Sequence, residues 1–220
     1  MKLIVLSCAI LLLSPLFAAA DAQPERPVLI ELFASQNCNA CPRAHKTLQS
    51  VQDEHGEDVF VLTWSVDYWD YLGAPDPMAI PAATERQAAY TERLGLRAPY
   101  TPQSVYDGAK QCPATQRATV EANIETRAST AMPGDVRIAA AGPGSFSLDG
   151  YTTEPVEVRL VEFLDGPANP TAMVHPVTRT QMLGQWTGGR VSFAFECEAS
   201  CAAIIQAPQH GEVYAAQRLN

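Results

Sequence analysis

Hydrophobic positions follow two regimes along the chain. Up to Ala131, short apolar runs alternate with segments of helical period. Val28-Leu29-Ile30-Glu31-Leu32-Phe33 is rich in strand formers and predicts a buried strand with one carboxylate inside it. Ala34 to Asn37 is the loop after it. A helix then starts near Cys38 or Cys41, with Pro42 in its first turn, where a missing N–H costs nothing. Ala44, Leu48 and Val51 recur at helical spacing, and His55-Gly56 ends the helix. Val59 to Val66 is a second buried strand, followed by a long loop from Asp67 to Pro81 that is rich in proline and aromatics. Pro81 and Thr84-Glu85 open a second helix that stops at Gly95. A strand at Gln103–Tyr106, a hairpin turn at Asp107-Gly108, a short return strand to Cys112 and a helix from Ala114 to Ser129 complete the first regime.

Beyond Met132-Pro133-Gly134 the period becomes alternating. Val136/Ile138, Val156/Val158/Leu160, Val191/Phe193/Phe195 and Ala203/Ile205 mark strands separated by Gly-Pro and Gly-Gly turns. Val177 to Leu183 is the one stretch there with a helical look. The expected fold class is therefore α/β. A β-α-β-α-β-β-α unit over residues 26–131, the order of a thioredoxin-like domain, precedes a small antiparallel β unit over residues 134–220.

The N-terminus changes the chemical setting. Lys2, an apolar run from Leu3 to Phe17 and then Ala18-Ala19-Ala20 read as a secretory signal peptide over residues 1–20. Val5-Leu6-Ser7-Cys8 resembles a lipobox, but it leaves almost no apolar segment ahead of the cysteine. Removal of the signal leaves roughly 200 residues, enough for one large domain or two small ones. The expected compartment is periplasmic or extracellular, with no membrane span in the mature chain. The formal charge of −9 and the lack of a Lys/Arg cluster argue against a nucleic-acid partner.

Cys38-Asn39-Ala40-Cys41 is the sharpest chemical feature. It lies where a strand hands over to a helix, and helix N–H groups and the dipole stabilise a thiolate there. Cys38 is expected to be the more exposed sulfur and the nucleophile, and Cys41 the resolving thiol. Asn39-Ala40 carries no charge and does not indicate the direction of electron flow. Thr101-Pro102 precedes the third strand, and a cis bond there would lie against the cysteine pair and free the Thr101 backbone to pair with an extended partner. Glu31 is a candidate proton acceptor for Cys41; the rival role is a carboxylate satisfied by a neighbour. Asp67 either lines the site or caps loop backbone, and Tyr68 and Trp69 read as buried anchors.

The motifs Ser35-Gln36-x-Cys38-x-x-Cys41-Pro42, Val66-Asp67-Tyr68-Trp69-Asp70-x-Leu72-Gly73, Arg86-Gln87-x-x-Tyr90 and Tyr100-Thr101-Pro102-Gln103 resemble a family of secreted, thioredoxin-like bacterial proteins of unknown function. The resemblance spans Val28 to Gly108 and continues more weakly to Arg218. It implies the same fold and no particular substrate. Asn37 stands where the family commonly has glycine.

Three further cysteines need an account. Cys197 and Cys201 would form a structural disulfide if a tight loop joined them, or else a second redox pair. Cys112 reads as a buried inert thiol, with a link to Cys197 or Cys201 as the alternative. A four-thiolate zinc site would need ligands from two distant pairs, and a copper site would need His175, so neither metal nor another cofactor is expected. The reading is an exported thiol–disulfide oxidoreductase with a thiol- or disulfide-containing protein partner. The alternative is a binding or scaffold protein with a static Cys38–Cys41 disulfide.

Overall fold

The computed structural model describes residues 26–220; the expected signal peptide and Cys8 lie outside the described residues. The first sheet begins with β1 (Val28–Ala34) and β2 (Val59–Ser65), which are parallel and joined through α1 (Cys41–His55). Both strands are buried at every position, which is why their sequences run apolar without alternation. After α2 (Pro81–Arg93) come β3 (Gln103–Tyr106), antiparallel to β1, and β4 (Lys110–Cys112). The sheet order is β2-β1-β3-β4.

Asp107 and Gly108, at φ 44° and 67°, turn β3 into β4. A Cβ on Gly108 would lie 2.3 Å from the Gly211 carbonyl oxygen, so the turn is held to glycine by contact as well as by conformation. The third helix, α3 (Arg117–Ala128), starts later than the hydrophobic pattern suggests. Ala114 sits at φ 53°, outside the helical region, so helix cannot form through it.

The second sheet is antiparallel and organised around one long strand. β5 (Gly134–Gly142) pairs with β6 (Ser145–Phe163); β6 also pairs with β7 (Val177–Gly188), β8 (Val191–Ala194) and β9 (Ser200–Gln206); β10 (Val213–Arg218) pairs with β9. Breaks of register between β6 and β7 let the sheet curl. Val177 to Leu183, expected as a helix, is the first half of β7. Val177 is buried, and Thr178, Arg179, Thr180 and Gln181 then alternate between half-buried and exposed positions while the segment pairs with Phe163 to Arg159 of β6.

The two sheets share a core. One face of the first sheet carries α1 and α3 over Ile30, Leu32, Val59 and Val61. The other face places Leu29, Phe33, Leu62 and Trp64 against Val161, Phe163, Ile204 and Val213 of the second sheet, with Ala83 and Tyr90 of α2 in the same cluster. A separate cluster inside the second sheet is built on Phe146, Leu148, Val158 and Ile205. The β region is thus a wall of the first unit's interior. Among the described residues, no helix is long and apolar enough to cross a membrane.

Phe163→Ala empties a fully buried position in the shared core. We expect a loss of about 3–5 kcal/mol. Urea unfolding followed by tryptophan fluorescence and by far-ultraviolet circular dichroism should stay a single coincident transition; two separate transitions would show that the sheets fold independently.

Candidate functional site

The site forms where β1 ends. Cys38 donates its backbone N–H to Ser35 O (3.1 Å), and Cys41 donates to Cys38 O (3.1 Å), so the chain makes a tight turn before α1 takes over at Cys41. Pro42 occupies the first helical turn. Cys38 and Cys41 are joined as a disulfide with Cα atoms 5.4 Å apart. Both are buried, Cys38 at 8% and Cys41 at 1% exposure, so Cys38 is the more accessible of the two.

The Thr101–Pro102 bond is cis. The β1/β3 register pairs Phe33 with Gln103, which puts Thr101 and Pro102 at the same sheet end as Ser35 to Cys38. Trp69 fastens this corner: its indole N–H donates to Thr101 Oγ1 at 2.7 Å, and its ring packs against the core cluster that holds Cys38 and Cys41. Trp69 therefore belongs to the site's framework as well as being an anchor.

The loop after β2 clasps the approach to Cys38. Asp76 accepts the Gln36 N–H (2.8 Å) and the Met78 N–H (2.9 Å) and is 5% exposed. Asn37 Nδ2 donates to Ala74 O (3.0 Å) and reaches Asp70 Oδ1 at 3.5 Å. A Cβ on Gly73 would sit 2.7 Å from Asn37 Oδ1, so a side chain there would displace the Asn37 amide from its present contacts. Asp67 does not reach this corner. It is exposed and accepts the Thr84 hydroxyl at 2.8 Å, tying the loop to α2; the carboxylates near the cysteines are Asp70 and Asp76. Sequence reading named Asp67 because it directly follows a strand. The Asx-type turn around Asp76 was the missed signal.

Glu31 also has a different place from the one proposed. Side chains alternate along β1, so Ile30 and Leu32 face the α1 side while Glu31 faces α2. There it meets Arg86 in a two-pronged ion pair (2.6 and 2.9 Å) and accepts the Tyr90 hydroxyl (2.5 Å); Arg86 also donates to Gln206 of β9 (2.9 Å). Its carboxylate is committed on the opposite face from the cysteines. Its rival role, satisfaction by a neighbour, is the one the geometry supports.

Cys197 and Cys201 are joined, with Cα atoms 6.2 Å apart, just ahead of and at the start of β9. Cys201 pairs with Glu162, so this disulfide sits in the second sheet and in none of the contacts that hold Cys38 and Cys41. Glu162, Cys197 and Cys201 are the one group of potential metal ligands among the described residues, and both sulfurs there are spent in the disulfide. His175 bonds Val61 O (2.7 Å) and approaches Asp165 (3.4 Å), and neither partner is a cysteine. Cys112 is free and buried, beside the Tyr106 hydroxyl (3.3 Å) and the Ser104 hydroxyl (3.5 Å). Burial pushes the Tyr106 hydroxyl well above its usual range, and the adjacent Cys112 adds to this.

The fold and site define a two-sheet α/β protein with a disulfide-linked CxxC at the head of its first helix and a cis proline at the same sheet end. The chain matches, over residues 29–210, the family described as "Protein of unknown function (DUF1223)", and it belongs to that family. An X-ray crystal structure of a protein from Agrobacterium tumefaciens is similar, with a TM-score of 0.75 and 25% sequence identity over 90% of this chain and 96% of that one. No curated protein matches the chain.

Two outcomes follow. Glu31→Gln should destabilise the protein by about 3–5 kcal/mol, because Arg86 stays buried without its partner. The rate at which Cys41 closes the disulfide, followed as the second thionitrobenzoate released from the reduced protein by dithiobis(nitrobenzoate), should stay unchanged; a slowed rate would return Glu31 to its expected role at Cys41. Second, burial holds His45 and His210 neutral, with pKa values lowered from 6.5 to about 4; Arg86 and Arg159 add to the effect at His210, while Asp76 opposes it at His45. The unfolded chain binds protons that the folded chain refuses between those values. Stability is therefore fully present above pH 6.5 and declines as the pH falls toward about 4. Urea midpoints should drop across that window, and the His45→Asn/His210→Asn double variant should flatten the decline.

Proposed function

We propose that this protein is an exported thiol–disulfide oxidoreductase of thioredoxin-like fold, with Cys38 as nucleophile and Cys41 as resolving thiol. The observation that carries the reading is the disulfide-linked pair at the head of α1, set at the same sheet end as the cis Thr101–Pro102 bond. The parallel β1-α1-β2 unit, with β3 and β4 added antiparallel beside β1, supports the fold assignment over residues 26–131. Two disulfides are more at home in an oxidising compartment than in the cytosol, which supports export.

The chemistry follows from position. The first N–H groups of α1 have no helical partner, and they favour a thiolate at Cys38. That thiolate attacks a partner disulfide and forms a mixed disulfide. Cys41, one turn inward, then attacks the Cys38 sulfur, releases the partner as a thiolate and closes the Cys38–Cys41 bond. The reverse sequence oxidises a partner dithiol. Thr101 lies at the same sheet end as the pair, with its side chain engaged by Trp69, and in this reading its backbone pairs with an extended partner segment. The partner class is a protein carrying an accessible thiol or disulfide.

The mature protein should catalyse insulin reduction by dithiothreitol, and Cys38→Ser should abolish it. Cys41→Ala should accumulate mixed disulfides with envelope proteins. The Cys38/Cys41 couple should have a reduction potential above about −250 mV; a value below about −300 mV would mark the bond as static and favour a scaffold role.

A further inference from the structure

The loop between β2 and α2 has its polarity turned inside out. The carboxylates of Asp70 and Asp76 are spent inward: Asp70 Oδ1 accepts the Asp76 N–H (3.0 Å) and lies 3.5 Å from Asn37 Nδ2, and Asp76 accepts the Gln36 and Met78 N–H groups. The apolar side chains face out instead. Tyr71 is 76% exposed and Leu72 57%. Tyr151 and Met182, the other strongly exposed large hydrophobic side chains among the described residues, stand singly on β6 and β7. Single exposures of that kind are normal, whereas adjacent apolar side chains beside a reactive group point to recognition.

The outward position is held by structure. A single turn at Asp70–Leu72 is closed by Leu72 N–H to Trp69 O (2.9 Å) and by Gly73 N–H to Asp70 O (3.3 Å). The Tyr71 ring stacks on the Trp69 ring, with centroids 6.1 Å apart and planes at 30°. Trp69 in turn holds the Thr101 hydroxyl. Side chains ordered before contact lose less freedom when a partner arrives, so each unit of buried area contributes more to binding.

The patch is continuous with the cysteine corner. Leu72 is followed by Gly73, which packs against the Asn37 amide, and Asn37 directly precedes Cys38. Ala74 O and Pro75 O accept the Gln36 side chain (2.9 and 2.8 Å), which fixes the loop to the cysteine turn a second time. On the other side, Tyr71 reaches Thr101 through Trp69. Tyr71, Leu72, Ala74 and Pro75 of the loop and Asn39 and Ala40 of the cysteine turn are all exposed and all uncharged, in a chain of formal charge −9. Such a surface selects for apolar area and not for charge. Two side chains fall far short of the roughly 800 Å² per partner of a stable interface between proteins, and the shared negative charge opposes a second copy. Their size suits one or two side chains of an extended segment.

We propose that Tyr71 and Leu72 form a docking platform that selects, among cysteine-bearing partners, extended segments with a large apolar residue close to the reacting sulfur. This rests on the oxidoreductase reading above and adds a substrate preference to it. The apolar residue lies within about three positions of the partner cysteine, a reach of roughly 10 Å in extended chain. Its side chain packs on Leu72 and Tyr71 while the partner sulfur meets Cys38. Neither platform residue takes part in the exchange of sulfurs. They hold the matching segment at the pair for longer than a polar one.

The test uses the reduced, full mature protein and two peptides, each holding its single cysteine as a mixed disulfide with glutathione. One peptide has Phe and Leu beside the cysteine, the other Ser and Gln. Release of free peptide is followed by chromatography at concentrations below saturation. Wild type should reduce the apolar peptide about tenfold faster, the effect of burying one leucine-sized side chain. In Leu72→Ser and in Tyr71→Ser/Leu72→Ser the ratio of the two rates should fall toward one, and Leu72→Met should restore it. Each ratio is taken within one protein, so a general loss of active protein cancels. A ratio near one in wild type, or an unchanged ratio in the serine variants, would overturn the platform and leave the oxidoreductase reading intact. Reduction of neither peptide would overturn both. A dimer in sedimentation, or binding to phosphatidylcholine vesicles, that Leu72→Ser abolishes would give the patch to a second copy or to lipid and overturn the platform as well.

Discussion

One buried charge organises the middle of this protein. β1 is covered on both faces, yet it carries Glu31 at its centre with no exposed surface. An ionised carboxylate there is tolerable only with a matching cation and hydrogen bonds to its remaining lone pairs. Arg86 supplies the cation from α2, Tyr90 supplies a hydroxyl one turn later, and Gln206 secures Arg86 from β9. The guanidinium also lies over the Trp64 ring (5.2 Å). Three elements far apart in sequence are thereby held to one register. α2 cannot shift along the sheet, and the second sheet cannot lift away, without leaving a charge unpaired.

This arrangement separates two jobs by face. The α2 face and the second sheet enclose the ion pair and the larger aromatic cluster. The α1 face holds the Cys38–Cys41 disulfide at one end. Asp107 links the sheets at the opposite end of β3. Its carboxylate accepts Leu29 N–H (2.9 Å) and pairs with Arg26 and Arg127, while its carbonyl accepts Val213 N–H (2.9 Å). The cysteine corner is thus left to its own small set of supports: Trp69, Asn37, Asp70 and Asp76.

Much of the first sheet was legible because burial on both faces leaves continuous apolar runs, and because Pro81, Gly95 and Asp107-Gly108 punctuate the chain. The cis bond at Thr101–Pro102 followed from its place in the element order. The shared core was hidden, since alternating strands such as Val161/Phe163 and Ala202/Ile204 reveal that a face is buried without revealing against what. The same ambiguity made Val177 to Leu183 look helical: a short segment with irregular polarity does not declare its period. At the site, sequence adjacency misled twice. Glu31 is close to Cys38 along the chain and on the other side of the sheet, and Asp67 follows β2 but turns toward Thr84.

The two disulfides span three and four residues of sequence. Loops that short remove little freedom from an unfolded chain, so neither bond is a major tether of the fold. Cohesion comes from the shared core and its enclosed charges. Opening the Cys38–Cys41 bond would consequently leave the architecture in place. Under the oxidoreductase reading proposed above, that independence would let the protein be handed electrons, and give them up, without being taken apart by the exchange.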